Sequence, residues 1–232
     1  MKQVIAMHGW AGDNSCWTLW SRQFEQRGWH WFSGERGYGN RSPQSSEWVD
    51  GSTRRLVICH SLGFHLLPAS VLSVATDLVL LGGFASFVPR EVDGRGLRTA
   101  LRGMAKALGT QQERTMLQRF LERAAAPLPL SALPPNALLR GISETGRQRL
   151  QDDLDLLAKL TALPPGFPDQ ADCLVVQGGL DQIVPPETQK LLIQSLNGRL
   201  KKKPTEMLQP NSGHALLTAD ALQRVLGWLE RP

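Results

Sequence analysis

Leu56-Val57-Ile58-Cys59-His60-Ser61-Leu62-Gly63 is the stretch on which the reading of this chain turns. A short apolar, β-branched run ends at a serine, and a helix-like segment, Gly63 to Ala75, follows. Strand, sharp turn and helix form the context in which a serine is held exposed at a sheet edge, the G-x-S-x-G elbow. Such a turn is so tight that the positions two before and two after the serine must be small. Cys59 stands where the first glycine is usual, and Gly63 satisfies the other side.

Other runs of the same kind lie on either side: Val4 to Met7, Leu78 to Leu81, Leu174 to Gln177 and a weaker Glu206 to Leu208, with Trp29 to Ser33 as a sixth. Their hydrophobicity is continuous rather than alternating, as expected of parallel strands covered on both faces. Helix-like stretches alternate with them: Cys16 to Arg27, Gly63 to Ala75, Pro186 to Leu196 and Ala219 to Leu229. This order predicts an α/β fold with a mostly parallel sheet of about six strands and helices on both faces. From Phe84 to about Gln170 the rhythm breaks into a long, Arg-rich, Pro-divided helical interval. A structureless loop of that length is implausible in a compact domain. The expected organisation is a core of residues 1–83 and 171–232 with an inserted helical cap over 84–170.

The 232 residues, 41% hydrophobic and 20% charged, exclude disordered and collagen-like classes. Three cysteines, Cys16, Cys59 and Cys173, lack metal-type pair spacing and read as free thiols of a reducing compartment, which predicts a cytoplasmic protein. No apolar run is long enough to be a signal-peptide core or to span a bilayer, so no membrane association is expected. A net charge of +5 is modest, and no aromatic-interleaved or helix-turn-helix signature accompanies it, so no nucleic-acid partner is expected.

A serine hydroxyl is a weak nucleophile near neutral pH and needs a neutral imidazole, itself oriented by a carboxylate. After the strand Leu174 to Gln177 comes Gly178-Gly179-Leu180-Asp181, which places Asp181 at the carboxyl edge where open α/β sheets build their sites. After the last strand comes Asn211-Ser212-Gly213-His214. The chain order Ser61, Asp181, His214 follows, each residue in a loop after a strand. Asp172 precedes its strand and falls at the wrong edge. His30 and His65 read as ordinary histidines, and His60 as a wall of the site turned away from Ser61. Acyl chemistry also needs two backbone N–H donors for an oxyanion. Leu62, immediately after the serine, and Trp10, in the loop Met7-His8-Gly9-Trp10-Ala11-Gly12 after the first strand, are the expected donors. This chemistry requires no metal and no organic cofactor.

His8-Gly9-Trp10 with Trp17, Cys59-His60-Ser61-Leu62-Gly63, Asp181 and Ser212-Gly213-His214 together resemble the α/β-hydrolase superfamily over nearly the whole chain. His-Gly-Trp followed after six residues by Trp looks most like the pimeloyl-acyl-carrier-protein methyl ester esterases of biotin synthesis. The resemblance implies an α/β-hydrolase fold, a serine carboxylesterase, and a pimeloyl methyl ester carried on acyl carrier protein as substrate. Two departures stand out: the usual pair of strands before the His-Gly loop is trimmed, and Cys59 replaces glycine. Arg36-Gly37-Tyr38-Gly39 matches the family's acid-led glycine-rich turn only in part and is assigned a structural role.

The charge pattern fits such a partner. Between Arg90 and Arg149 eleven basic residues face five acidic ones, a net +6 that exceeds the whole chain's +5. A basic cap would attract an acidic carrier at long range and lose that attraction with salt. The resemblance implies cap arginines as the contact, with Arg140 and Arg147 first and Arg98 and Arg102 beside them. Phe84, Phe87, Leu138 and Leu139 are candidates for an acyl tunnel or for the cap's own core. A monomer is expected. The rival readings are another α/β hydrolase acting on a small ester or an acyl thioester, since fold and triad do not set the leaving group, and a non-catalytic binding member of the fold.

Overall fold

Four of the six strands are apolar on both faces because helices cover the sheet from both sides. The computed structural model describes residues 1–89, 94–134 and 136–231. Arg90, Glu91 and Asp93 of the charge pattern, and Pro135 among the prolines, lie outside them. The strands are β1 (Lys2–Met7), β2 (Trp29–Ser33), β3 (Arg54–His60), β4 (Asp77–Leu81), β5 (Asp172–Gly178) and β6 (Thr205–Gln209). All pair in parallel, in the order β2-β1-β3-β4-β5-β6. The chain winds outward from β1 to β2, then crosses back to β3 on β1's other side. That reversal opens a crevice at the carboxyl ends of β1 and β3. Met7 pairs with Cys59 across it, so the loops beginning at His8 and Ser61 leave the sheet side by side.

The helices are α1 (Thr18–Glu25), α2 (Ala69–Leu72), α3 (Gly94–Ala107), α4 (Glu113–Ala125), α5 (Glu144–Lys159), α6 (Pro186–Arg199) and α7 (Ala219–Leu229). On one face Val4, Leu56, Ile58 and Val176 meet Trp20 and Phe24 of α1 and Leu222 and Val225 of α7. On the other, Ile5, Val57, Leu80 and Val175 meet Val71 and Leu72 of α2 and Leu192 and Leu196 of α6. The period-2 alternation of a strand sends neighbours to opposite layers.

Two expected helices are broken. Gly63 to Ala75 is a 3-10 turn, Ser61–His65, followed by the short α2. Pro68 between them lacks the N–H a continuing helix needs, and its own backbone, φ −60° and ψ 147°, is extended. Cys16 to Arg27 likewise starts as a 3-10 turn, Asn14–Trp17, capped by the Asp13 side chain accepting from the Ser15 amide, before α1 begins.

Between β4 and β5 the chain forms α3, α4, two 3-10 turns (Leu130–Ala132 and Ala137–Arg140) and α5. Leu101, Leu117, Leu150, Leu154 and Leu157 from these helices join Trp10, Tyr38 and Leu62 from the sheet's loops in a third apolar cluster. α5 starts hard against the Tyr38 turn: a side chain at Gly146 would put its Cβ 2.0 Å from the Tyr38 carbonyl oxygen. Among the described residues no helix is long and apolar enough to cross a membrane.

Candidate active site

The backbone at Ser61 has φ +56°, in the left-handed region that L-residues rarely occupy. Ser61 is the first residue of the 3-10 turn, directly after the end of β3, and strain of this kind persists only where the surrounding fold dictates it. The turn is held against the end of β1: a Cβ at Gly63 would sit 2.3 Å from the Met7 carbonyl oxygen. Cys59 fits because its small side chain is buried, 1% exposed, in the core layer beneath. Burial pushes that thiol far above its ordinary pKa.

His214 and Asp181 form a buried pair. His214 Nδ1 lies 2.8 Å from Asp181 Oδ2, with the side chains 2% and 1% exposed. The other carboxylate oxygen, Oδ1, accepts from the Ile183 amide at 2.7 Å and the Val184 amide at 2.9 Å. Burial alone would raise the Asp181 pKa, but the His214 ring and the two amides outweigh it and hold the carboxyl below its usual range. Asp181 is therefore ionised and accepts the Nδ1 proton, which leaves the lone pair of a neutral His214 on Nε2. His60 supports this loop from the side. Its Nε2 donates to the His214 carbonyl oxygen at 2.9 Å, and the two rings lie 4.8 Å apart. Burial, and then the neighbouring His214, lower the His60 pKa to about 3, so it stays neutral.

Leu62 follows Ser61 directly, and Trp10 shares with Ser61 the walls of both cavities that meet there. Leu62 is in the first turn of the 3-10 segment, where N–H groups have no intrahelical partner. The Trp10 ring is fixed by a hydrogen bond from Nε1 to the Leu150 carbonyl oxygen at 2.9 Å and by an edge-to-face contact with Phe120 at 4.8 Å. His8, one of this loop's turn residues, is buried beneath it. Its Nε2 lies 3.1 Å from the Arg36 amide nitrogen and 3.4 Å from Glu35 Oε1. Glu35 also accepts from the Gly37 and Asn14 amides. Burial works against its ionisation, but His8 and these amides hold its pKa below the usual value. The glycine-rich turn is thus led by an acid, Glu35, one residue before the segment that the sequence reading considered. Arg36 and Tyr38 of the same turn both bind Asp153 of α5, each at 2.7 Å.

Two cavities meet at Ser61. The larger, about 580 Å³, has Ser61, His60 and His214 in its wall and runs toward the two 3-10 turns; the smaller, about 320 Å³, has Ser61 and Leu62 and runs between α3, α4 and α5. Trp10 and Phe120 belong to both walls. Of the apolar candidates, Phe87 lines the smaller cavity and Leu139 the larger. Phe84 and Leu138 line neither and are buried in the third cluster, Phe84 packed between His65 and Phe87. Of the arginines, Arg147 is held by Glu113 in a two-point ion pair, and Arg98 donates to the Pro89 carbonyl. Arg102 and Arg140 are exposed and line neither cavity. Arg119 and Arg123, which the sequence reading did not single out, are exposed on α4 and line the smaller one. Their spacing of four, which puts both on one helical face, was the available signal. Among the described residues no group of three or more His, Cys, Asp or Glu side chains could hold a metal ion.

No protein-family model and no curated protein matches the chain. Solved structures do. An esterase from Exiguobacterium antarcticum superposes with a TM-score of 0.77 at 17% identity, over 100% of this chain and 92% of that one. A hydrolase from Pseudomonas aeruginosa PA01 gives 0.69 at 15% identity, over 99% and 90%. A bromoperoxidase from Bacillus anthracis gives 0.66 at 17%, over 99% and 92%. With the all-parallel sheet and the serine at its switch point, these likenesses give the chain the α/β-hydrolase fold.

Proposed function

We propose that the protein is a serine carboxylesterase with Ser61 as nucleophile, His214 as general base and acid, and Asp181 as the residue that orients it. The observation that carries this reading is the left-handed Ser61 at the end of β3, sharing a cavity wall with a histidine whose far nitrogen is tied to a buried, ionised aspartate. His214 takes the Ser61 proton as the hydroxyl attacks an ester carbonyl. The amides of Leu62 and Trp10 receive the oxyanion. The C–O bond to the alcohol breaks as His214 returns the proton to the leaving oxygen, and a water activated by the same imidazole frees the acid.

The substrate proposed is the methyl ester of a pimeloyl chain on acyl carrier protein, as the resemblance of the His8-Gly9-Trp10 and Cys59-to-Gly63 motifs implies. Exposed Arg119 beside the smaller cavity supplies a positive rim for an acidic carrier, with Arg123 next to it, whose guanidinium also donates to the Gln182 carbonyl oxygen at 2.8 Å; Arg98 is turned to the Pro89 carbonyl and Arg147 is paired with Glu113. The likeness to an esterase supports the ester class. A thioester of the same chain is the rival, because nothing in the triad selects the leaving atom.

The deciding assay compares the carrier-bound pimeloyl methyl ester, the free methyl ester and an acyl-carrier thioester, at low and high salt. Preferential, salt-sensitive release of methanol from the carrier-bound ester, abolished in Ser61→Ala, is the expected result. Cleavage of the thioester alone transfers the site to the rival, and full activity in Ser61→Ala removes the mechanism.

A further inference from the structure

One face of α4 reaches three of the four loops that carry the candidate catalytic groups. Phe120, Arg123 and Ala124 are spaced i, i+3 and i+4, so they share a side of the helix. The Phe120 ring meets Trp10 edge to face. Ala124 lies in the last turn of the helix, where carbonyl groups lack an intrahelical donor. Its oxygen accepts from the amide of Ala215, one residue past His214, at 3.0 Å. Arg123 reaches the third loop: its Nη2 donates to the carbonyl oxygen of Gln182, one residue past Asp181, at 2.8 Å.

The contact at Gln182 differs from the other two in what lies behind it. The Gln182 carbonyl and the Ile183 N–H are the two ends of one planar peptide unit. That N–H donates to Asp181 Oδ1 at 2.7 Å, and Oδ2 of the same carboxylate holds His214 Nδ1 at 2.8 Å. A cation bonded to the carbonyl oxygen draws electron density from the amide nitrogen and makes its N–H a stronger donor, and hydrogen bonds in such a chain reinforce one another. The plane also transmits direction, because pinning the oxygen from outside pins the N–H inside. We propose that Arg123 is a positioning residue of the triad, an exposed guanidinium that orders the buried Asp181 carboxylate through the Gln182–Ile183 peptide. This rests on the proposed triad and adds to it a residue from the inserted helices. Arg123 is exposed, whereas the Asp181 side chain is 1% exposed, so the cation keeps its contact with solvent while its pull is passed inward.

The test reads kcat and KM for methyl hexanoate, a neutral ester with no carrier, and the rate at which an uncharged alkyl phosphonate ester labels Ser61. Arg123→Met is expected to lower kcat and the labelling rate by about 10- to 10²-fold with KM within about twofold, the pattern of a reacting group misplaced by about 1 Å. Arg123→Lys, which keeps a cationic donor, recovers most of the loss. Arg114→Met removes the same charge from an exposed position of α4 that lines neither cavity, and leaves both rates unchanged. The deciding comparison is made in an Asp181→Asn background, where there is no carboxylate to order: there Arg123→Met changes the labelling rate by less than about twofold. Native rates in Arg123→Met, or the same fold loss with and without the Asp181 carboxylate, overturn the inference and leave Ser61 as nucleophile. A native protein that neither cleaves the ester nor takes the label, or a Ser61→Ala protein that does either, removes the triad and this inference with it.

Discussion

His60 Nε2 donates a hydrogen bond to the backbone carbonyl of His214, 2.9 Å away, so the histidine next to the candidate nucleophile fixes the loop of the candidate base. His60→Phe leaves that carbonyl without its donor, at a cost of about 1–3 kcal/mol for a buried acceptor. The larger effect is on geometry, since a displacement of the imidazole by about 1 Å is worth up to about 10²-fold in kcat. The expected kinetics are a fall in kcat with little change in KM, and substantial recovery in His60→Gln, which restores an N–H donor. Equal activity of the Phe and Gln variants would show that the hydrogen bond has no part in placing His214.

Stability should fall on acidification well before the carboxylates titrate. Burial lowers His60 to about 3 and His65 to about 4, while both histidines regain an ordinary value near 6.5 in the unfolded chain. Between those limits the unfolded state binds protons that the folded state does not. Stability is therefore complete above about pH 6.5 and declines by up to about 1.4 kcal/mol per pH unit for each histidine as the pH drops toward 4. Below that, Asp181 and Glu35, both held below their usual range, add a further loss as they protonate. Urea midpoints taken at half-unit steps measure this, and His65→Gln should reduce the slope between pH 6 and 5 by about one proton.

Arg36 and Asp153 form a lopsided ion pair: the guanidinium is 34% exposed, the carboxylate 2%. Removing the arginine strands a buried charge with Tyr38 as its sole remaining side-chain donor among the described residues. Removing the aspartate leaves a cation that turns to water. Arg36→Met should therefore destabilise by about 3–5 kcal/mol, and Asp153→Asn, which keeps an acceptor for Tyr38, by distinctly less. Denaturant unfolding of the two variants gives the order, and equal losses would mean that Arg36 cannot relax into solvent.

The physical origin of each feature decides whether it was legible in the sequence. Trp29–Ser33 and Ala219–Leu229 have the bounds that their local patterns predict, because a covered strand and an amphipathic helix each write their period into adjacent residues. The placement of Ser61, Asp181 and His214 at one edge of the sheet was equally readable: each follows a strand, and parallel strands bring their following loops to one edge. The roles of the arginines were not. Arg147 meets Glu113 across 34 residues and Arg36 meets Asp153 across 117, and such pairings leave no periodic trace. Two glycine-rich or proline-broken details also escaped. Glu35 sits one residue outside the segment considered, and Pro68 divides what the apolar spacing joined.

The strain at Ser61 yields the sharpest separation of stability from chemistry. At φ +56° an L-residue carries a cost of roughly 1–2 kcal/mol that glycine does not, partly offset by glycine's greater loss of backbone entropy on folding. Ser61→Gly and Ser61→Ala both lack the hydroxyl and should be equally inactive toward esters. They should nonetheless differ in unfolding free energy, glycine being the more stable by about 1 kcal/mol. Gly63→Ala tests the same turn from its other side, since the added methyl would lie 2.3 Å from the Met7 carbonyl oxygen and forces β1 and the turn apart. That variant should lose stability and activity together. Equal stability of the Gly and Ala variants at position 61 would show that the turn relaxes once the serine is gone, and that the left-handed backbone belongs to the side chain rather than to the fold.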